Sequence, residues 1–218
     1  EGFIDHRIFS NYGSILQDIG RLDEAKIFTT KALSLKPDYA TGHYNLGSIL
    51  KDIGELKEAE ISTRKAIDLN PDLAEAYTNL GTILKEMGNI KEAIINTNIA
   101  IKLNSNFEIA HFNLGSMFKD MGDLKEAEIH IRKAIELNPD FAEAHSKLGS
   151  ISKDIGDLKK AEIHTRKAIL LKPSYAEFYY NLGIILKEIG DLKEAEVCTR
   201  KAIDLKPDFE IAYSNLGV

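Results

Sequence analysis

The chain has 218 residues, 44% of them apolar and 28% charged, with a formal net charge of −6. That content supports a substantial core, but it supplies neither the basic stripe of a nucleic-acid site nor the cationic surface that anionic membranes attract. A single cysteine, Cys198, excludes an internal disulfide framework and fits a reducing, cytoplasmic setting. No apolar run approaches the roughly 20 residues of a membrane span, and the acidic opening Glu1-Gly2-Phe3-Ile4-Asp5 is unlike a signal peptide.

Along the chain, glycines fall at 13, 47, 81, 115, 149, 183 and 217, and again at 20, 54, 88, 122, 156 and 190, always 34 residues apart. Pro37, Pro71, Pro139, Pro173 and Pro207 form a third series on the same period, with Ser105 in its missing place. A period of this length marks stacked repeats, each burying its apolar face on its neighbours. In chain order, a lead-in at 1–5 precedes complete units at 6–39, 40–73, 74–107, 108–141, 142–175 and 176–209. A seventh breaks off within 210–218, and no linker interrupts the series. There is no initiator Met, and the chain stops in mid-repeat at Asn215-Leu216-Gly217-Val218, so a piece of a longer protein is expected.

The second unit serves as the type. Leu46, Ile49, Leu50 and Ile53 recur at helical spacing, which predicts an amphipathic helix over 41–53 that ends at Gly54. A second helix is predicted from Leu56, with Ala59, Ala66, Ile67 and Leu69 on its packing side and Pro71 closing it. Gly47, Ala59 and Ala66 leave room for the two helices of a hairpin to approach closely. Glycine costs a helix about 1 kcal/mol relative to alanine, so its return at the same helical site in every unit needs such a packing reason.

Asn45-Leu46-Gly47, Gly54, Ala59, Ala66 and Pro71, at this spacing, resemble the tetratricopeptide repeat (TPR), and the resemblance runs from residue 6 to residue 218. It implies an all-α fold, a right-handed superhelical solenoid of helix-turn-helix hairpins. The fourth residue of each unit departs from the family's frequent Trp, being Phe9, His43, Tyr77, His111, His145 or Tyr179. The twenty-fourth, commonly aromatic, is Thr29, Thr63, Thr97, Thr165 or Thr199, with Ile131 the exception. Aliphatic residues stand two places earlier, at Ile27, Ile61, Ile95, Ile129, Ile163 and Val197, and are expected to pack between repeats, with an outward docking stripe as the alternative.

Catalysis needs unlike groups converging on a point, whereas stacked repeats place like groups in ladders. His130, His164 and Cys198 form one such ladder and read as filler on the surface of the second helices. His43, His111 and His145 read as core or inter-repeat residues. The glycines serve packing and turns rather than cradling a phosphate. Neither an enzyme nor a metal or cofactor site is expected.

In TPR stacks the first helices line the concave side, where partner peptides usually lie. On that side the resemblance places an asparagine ladder, Asn11, Asn45, Asn79, Asn113, Asn181 and Asn215, with Lys147 in the fifth unit. Each side-chain amide offers a donor and an acceptor to an extended peptide backbone, and the ladder is similar to that of the TPR arm of O-linked N-acetylglucosamine transferase. Tyr44, Phe112 and Tyr180 recur every second unit as candidate anchors between hydroxyl residues. Lys51, Lys85, Lys119, Lys153 and Lys187 follow on the same face, beside acidic residues at the next position, so the groove has no strong sign. The Lys and Asn pattern with which some relatives clamp a terminal carboxylate is absent.

The expected function is a protein-interaction scaffold that binds an extended peptide or protein segment, without nucleic acid or membrane. Two alternatives stay open: the substrate-recruiting arm of a larger modifying enzyme, such as a glycosyltransferase with its catalytic domain beyond residue 218, and self-assembly through the uncapped C-terminal end around Leu216.

Overall fold

Paired small residues decide how these helices meet. The computed structural model describes residues 5–216, and every regular element among them is an α-helix. The chain divides into two compact units, Glu1–Asn113 and Leu114–Val218. The first holds α1 (His6–Asp18), α2 (Leu22–Leu35), α3 (Ala40–Ile53), α4 (Leu56–Leu69), α5 (Ala74–Glu86) and α6 (Ile90–Leu103). The division falls within α7 (Glu108–Asp120). The second unit continues with α8 (Leu124–Leu137), α9 (Ala142–Ile155), α10 (Leu158–Leu171), α11 (Ala176–Ile189), α12 (Leu192–Leu205) and α13 (Glu210–Leu216). Odd helices pack on the even helices that follow them: α1 on α2, α3 on α4 and α5 on α6, then α9 on α10 and α11 on α12. Residues 1–4, Gly217, Val218 and the Leu216 side chain lie outside the described residues, and so does the self-docking end face expected around Leu216.

In five hairpins the first-helix glycine lies against a second-helix threonine, and in the fourth Gly115 lies against Ile131. A Cβ built on Gly81 would overlap Thr97 Oγ1 and sit 3.1 Å from the Ala93 carbonyl oxygen, and Gly47 meets Thr63 and Ala59 in the same way. These threonines are wholly buried, and Thr97 Oγ1 donates to the Ala93 carbonyl at 2.9 Å, so its hydroxyl needs no water. Around these contacts, apolar side chains join one repeat to the next. Leu50, Ala59 and Ile83 cluster with Leu46 and Met87 in the first unit, and Ala142, Ala168 and Phe178 with Ile169 and Leu171 in the second.

The turns follow from local chemistry. At Gly54 the backbone is left-handed, with φ 93°, and Glu55 N–H reaches back to the Leu50 carbonyl at 2.9 Å, which satisfies a carbonyl at the helix end. Asp123, Asp157 and Asp191 cap α8, α10 and α12 by accepting backbone N–H bonds from residues three places on. At Ser105, which stands in place of the recurrent proline, the Asn104 side chain accepts from Asn106 N–H at 3.1 Å, as Asn70 and Asn138 accept from Asp72 and Asp140 beside Pro71 and Pro139.

One expectation is overturned. Ile27, Ile61, Ile95, Ile129, Ile163 and Val197 do not pack between repeats; they are 63%, 69%, 59%, 50%, 56% and 65% exposed. The buried line of each second helix runs through the alanine two residues before each of them and the threonine (or Ile131) two residues after. Two residues turn a helix by about 200°, so the aliphatic position between them points the opposite way.

These contacts separate two kinds of glycine. Replacing Gly81 with Ala should lower the denaturant midpoint by the equivalent of about 1–3 kcal/mol through overpacking, and adding Thr97→Ala should recover part of it. Gly54→Ala, which meets nothing within 4 Å, should cost about 1–2 kcal/mol through left-handed strain alone and show no such rescue.

Candidate functional site

The first helices of each unit carry the expected ladder, and most of its amides are tied to the repeat before them. Asn45 Nδ2 donates to Ser10 Oγ at 3.0 Å and to Ser14 Oγ at 3.1 Å. Asn113 Nδ2 donates to Thr82 Oγ1 at 3.3 Å, and in the second unit Asn181 Nδ2 donates to Ser146 Oγ at 3.4 Å. Asn79 differs in being 8% exposed and in donating to Thr63 Oγ1 on the second helix of the preceding repeat, at 3.2 Å. Asn11 is exposed, and Asn215 Oδ1 accepts from Lys187 Nζ at 3.2 Å. The ladder therefore fastens repeats together, while the side-chain carbonyl oxygens of Asn45, Asn113 and Asn181 have no hydrogen-bond partner among the described residues. Ser10, Thr78 and Ser146, expected to line the groove, are buried beneath it.

Several of the candidate lysines are also engaged. Lys119 Nζ reaches Asp154 of the following repeat at 2.9 Å, and Lys153 lies 3.2 Å from Asp154 and 3.7 Å from Glu188. Gln17 plays the same part in the first repeat, donating to Ser48 Oγ at 2.9 Å and Asp52 at 2.6 Å. Lys51 pairs with its neighbour Asp52 at 3.2 Å. Burial pushes the Asp154 carboxyl up, but Lys119 and Lys153 outweigh it and hold it below its ordinary value. Lys85 is half-buried on the same face. Of the aromatic candidates, Tyr44 and Phe112 are half-buried. Tyr180 leans on Phe209 with ring centroids 5.2 Å apart. Burial, and then the Glu75 charge, raises the Tyr44 phenol.

The fourth-residue histidines have a role that the spacing hinted at without specifying. His43 Nε2 bonds the Pro37 carbonyl at 2.8 Å, His145 Nε2 bonds the Pro139 carbonyl at 3.0 Å, and Tyr213 in the last repeat donates to the Pro207 carbonyl at 3.1 Å. Each closes a carbonyl just beyond a second helix, where the helix itself offers no donor. The ladder His130, His164 and Cys198 is not surface filler. His130 stacks on Phe118, Cys198 is buried with Leu182, Leu186 and Ala195, and His164 faces His145. Burial raises the Cys198 thiol and keeps it protonated. Among the described residues, no group of three or more His, Cys, Asp or Glu side chains is placed to hold a metal ion.

His145 and His164 share one hydrogen bond between their Nδ1 atoms, 3.3 Å long. With His145 Nε2–H on the Pro139 carbonyl, its Nδ1 accepts from His164. Burial lowers both imidazoles below the ordinary 6.5, and the His145 ring lowers His164 further. A folded value below the unfolded one means that the unfolded chain binds more protons in that window, so stability falls as pH drops through about 6.5. Melting temperature should therefore decline between about pH 7.5 and about pH 5, and less steeply in His164→Gln than in wild type. Equal slopes would show that the pair does not contribute.

Comparison with known proteins follows the geometry. Tetratricopeptide repeat models match residues 6–39, 40–73, 63–95, 109–141, 142–175 and 176–209. No match was found among curated proteins. The crystal structure of the APC/C hetero-tetramer Cut9–Hcn1 matches at TM-score 0.92 and 16% identity, over 98% of this chain and 42% of that one. The chain thus spans under half the length of that neighbour. YrrB, described as a TPR protein with an unusual peptide-binding site, matches at TM-score 0.64 and 25% identity, over 87% of this chain and 98% of that one. Pseudomonas aeruginosa PilF matches at TM-score 0.83 and 20% identity, over 97% and 96% of the two chains. No helix among the described residues is long and apolar enough to cross a membrane. With the 34-residue period, the glycine and proline series and the paired helices, these matches show that the chain belongs to the tetratricopeptide repeat family.

Proposed function

We propose that the chain is a non-catalytic interaction scaffold whose first-helix face binds an extended peptide or protein segment. The observation that carries this reading is the state of Asn45, Asn113 and Asn181. Their amide nitrogens are anchored on hydroxyls of the preceding repeat, which orients the side chains and leaves carbonyl acceptors at Asn45 and Asn113 in the first unit and at Asn181 in the second. A peptide backbone presents N–H donors to such acceptors whatever its side chains, so the affinity is tolerant of sequence. Within each unit half-buried aromatic anchors adjoin them, Tyr44 and Phe112 in the first and Tyr180 in the second. The lysines contribute register between repeats rather than attraction for an acidic ligand, because acidic residues of the same face neutralise Lys119 and Lys153. The peptide-binding relative at 25% identity supports the same class of ligand.

A peptide selected from a displayed random library tests this, with Kd measured by calorimetry. Asn113→Ala and Asn181→Ala should each weaken binding about fivefold, the loss of one hydrogen bond worth about 1 kcal/mol. Asn79→Ala should lower the melting temperature and leave Kd unchanged, since that amide is buried. Unaltered affinity in the first two variants would remove the ladder from the binding site.

A further inference from the structure

The exposed aliphatic row on the second helices has a consistent setting. In the second unit, Ile129, Ile163 and Val197 each stand between two lysines, one four residues before and one four residues after: Lys125 and Lys133, Lys159 and Lys167, Lys193 and Lys201. In the first unit, Ile61 lies between Lys57 and Lys65 in the same way, while Asp23 and Ile99 break the pattern beside Ile27 and Ile95. Residues four apart share one helix face. The surface of the second unit is thus three parallel rows across successive helices, with aliphatic groups in the middle and ammonium groups on both sides.

Acids on the same helices do not cancel these rows. Glu128 is held by Arg132 and Glu196 by Arg200, at 2.7 and 2.8 Å. Arg166 holds both Glu162, at 2.8 Å, and Glu194 of the next repeat, at 2.7 Å. Among the described residues, Lys133 of the six flanking lysines has an ion-pair partner, Glu136 at 2.7 Å, and Lys125, Lys159, Lys167, Lys193 and Lys201 have none. The three helices carry ten Lys or Arg against seven Asp or Glu, on a chain whose net charge is −6. Leu170, 74% exposed on α10, extends the apolar surface.

The geometry points to an occupant: we infer that the second-helix face of Leu114–Val218 docks an acidic amphipathic helix of a partner protein. Eight residues along a helix rise about 12 Å, so the two lysine rows are separated by about the 10–12 Å diameter of a helix with its side chains. A helix lying along the aliphatic row therefore places a narrow apolar seam on Ile129, Ile163 and Val197, with flanking carboxylates above each lysine row. An extended strand, with neighbours about 4.8 Å apart in a sheet, is too narrow to reach both. A flat anionic bilayer gains little here, because the adjoining Arg–Glu pairs present four carboxylates to three guanidinium groups. This face is distinct from the one that carries the asparagine ladder.

The test uses the whole chain and a fluorescein-labelled synthetic helix with a leucine seam flanked by glutamates, read by anisotropy. Wild type should bind it, and about 0.5 M salt should weaken the complex through screening. Ile163→Ser with Val197→Ser, and separately Lys159→Glu with Lys193→Glu, should each raise Kd at least tenfold with little change in melting temperature, since the positions are exposed. Asn113→Ala should leave this Kd unchanged, so failure here is distinguishable from failure of the peptide groove. Absent binding, or equal Kd in the variants, overturns the inference. So does binding to vesicles with about 30% phosphatidylserine that the same substitutions abolish.

Discussion

The close approach of a first-helix glycine to the second helix, on a threonine in five hairpins and on Ile131 in the fourth, is the contact on which the rest of each hairpin depends. At Gly81 there is no room for a methyl group, because Thr97 and the Ala93 carbonyl occupy the space. The wholly buried alanines at 93 and 100 continue the same line of small residues. Close-packed interiors lose dispersion energy over gaps of a fraction of an ångström, so such a seam sets the hairpin's geometry more strictly than apolar content alone. Threonine suits the seam because its hydroxyl bonds back to its own helix and leaves no unsatisfied polar atom at Thr97, Thr165 or Thr199.

Once the hairpin geometry is set, polar ladders hold repeat to repeat. The serine and threonine hydroxyls, the asparagine amides and the Lys119–Asp154 and Gln17–Asp52 bonds all run from one repeat to the next. Exposed ion pairs of this kind contribute little energy each. Their value is register: a neighbour misplaced by a turn would leave Asn45 or Asp154 without its partner. The same side chains line the first-helix face, so structural and binding roles overlap there residue by residue.

The second-helix face follows different chemistry. Arg132, Arg166 and Arg200 take the nearby glutamates, and among the described residues Lys133 is the one flanking lysine drawn into an ion pair. An arginine fork can hold two carboxylates at once, as Arg166 does with Glu162 and Glu194. A lysine at that place would leave acids free to neutralise the outer rows.

The sequence by itself determined the architecture. The spacing of glycine, alanine and proline predicted two helices per 34 residues, and helices at Ala40–Ile53 and Leu56–Leu69 stand where the second unit's pattern put them. Period and small-residue placement are local properties, and local geometry reads them directly. What only the tertiary structure decided was which face each residue presents. Ile163 and Ile151 are both isoleucines in helices of one hairpin, yet one is 56% exposed and the other fully buried. The difference depends on the angle at which the Gly–Thr seam sets one helix against the other. Likewise, no spacing revealed that Asn79 would bond Thr63 on the second helix of the preceding repeat while Asn113 bonds Thr82 on the first, or that His164 would meet His145. Those outcomes depend on side chains arriving from different helices, and so on distances that a one-dimensional pattern does not contain.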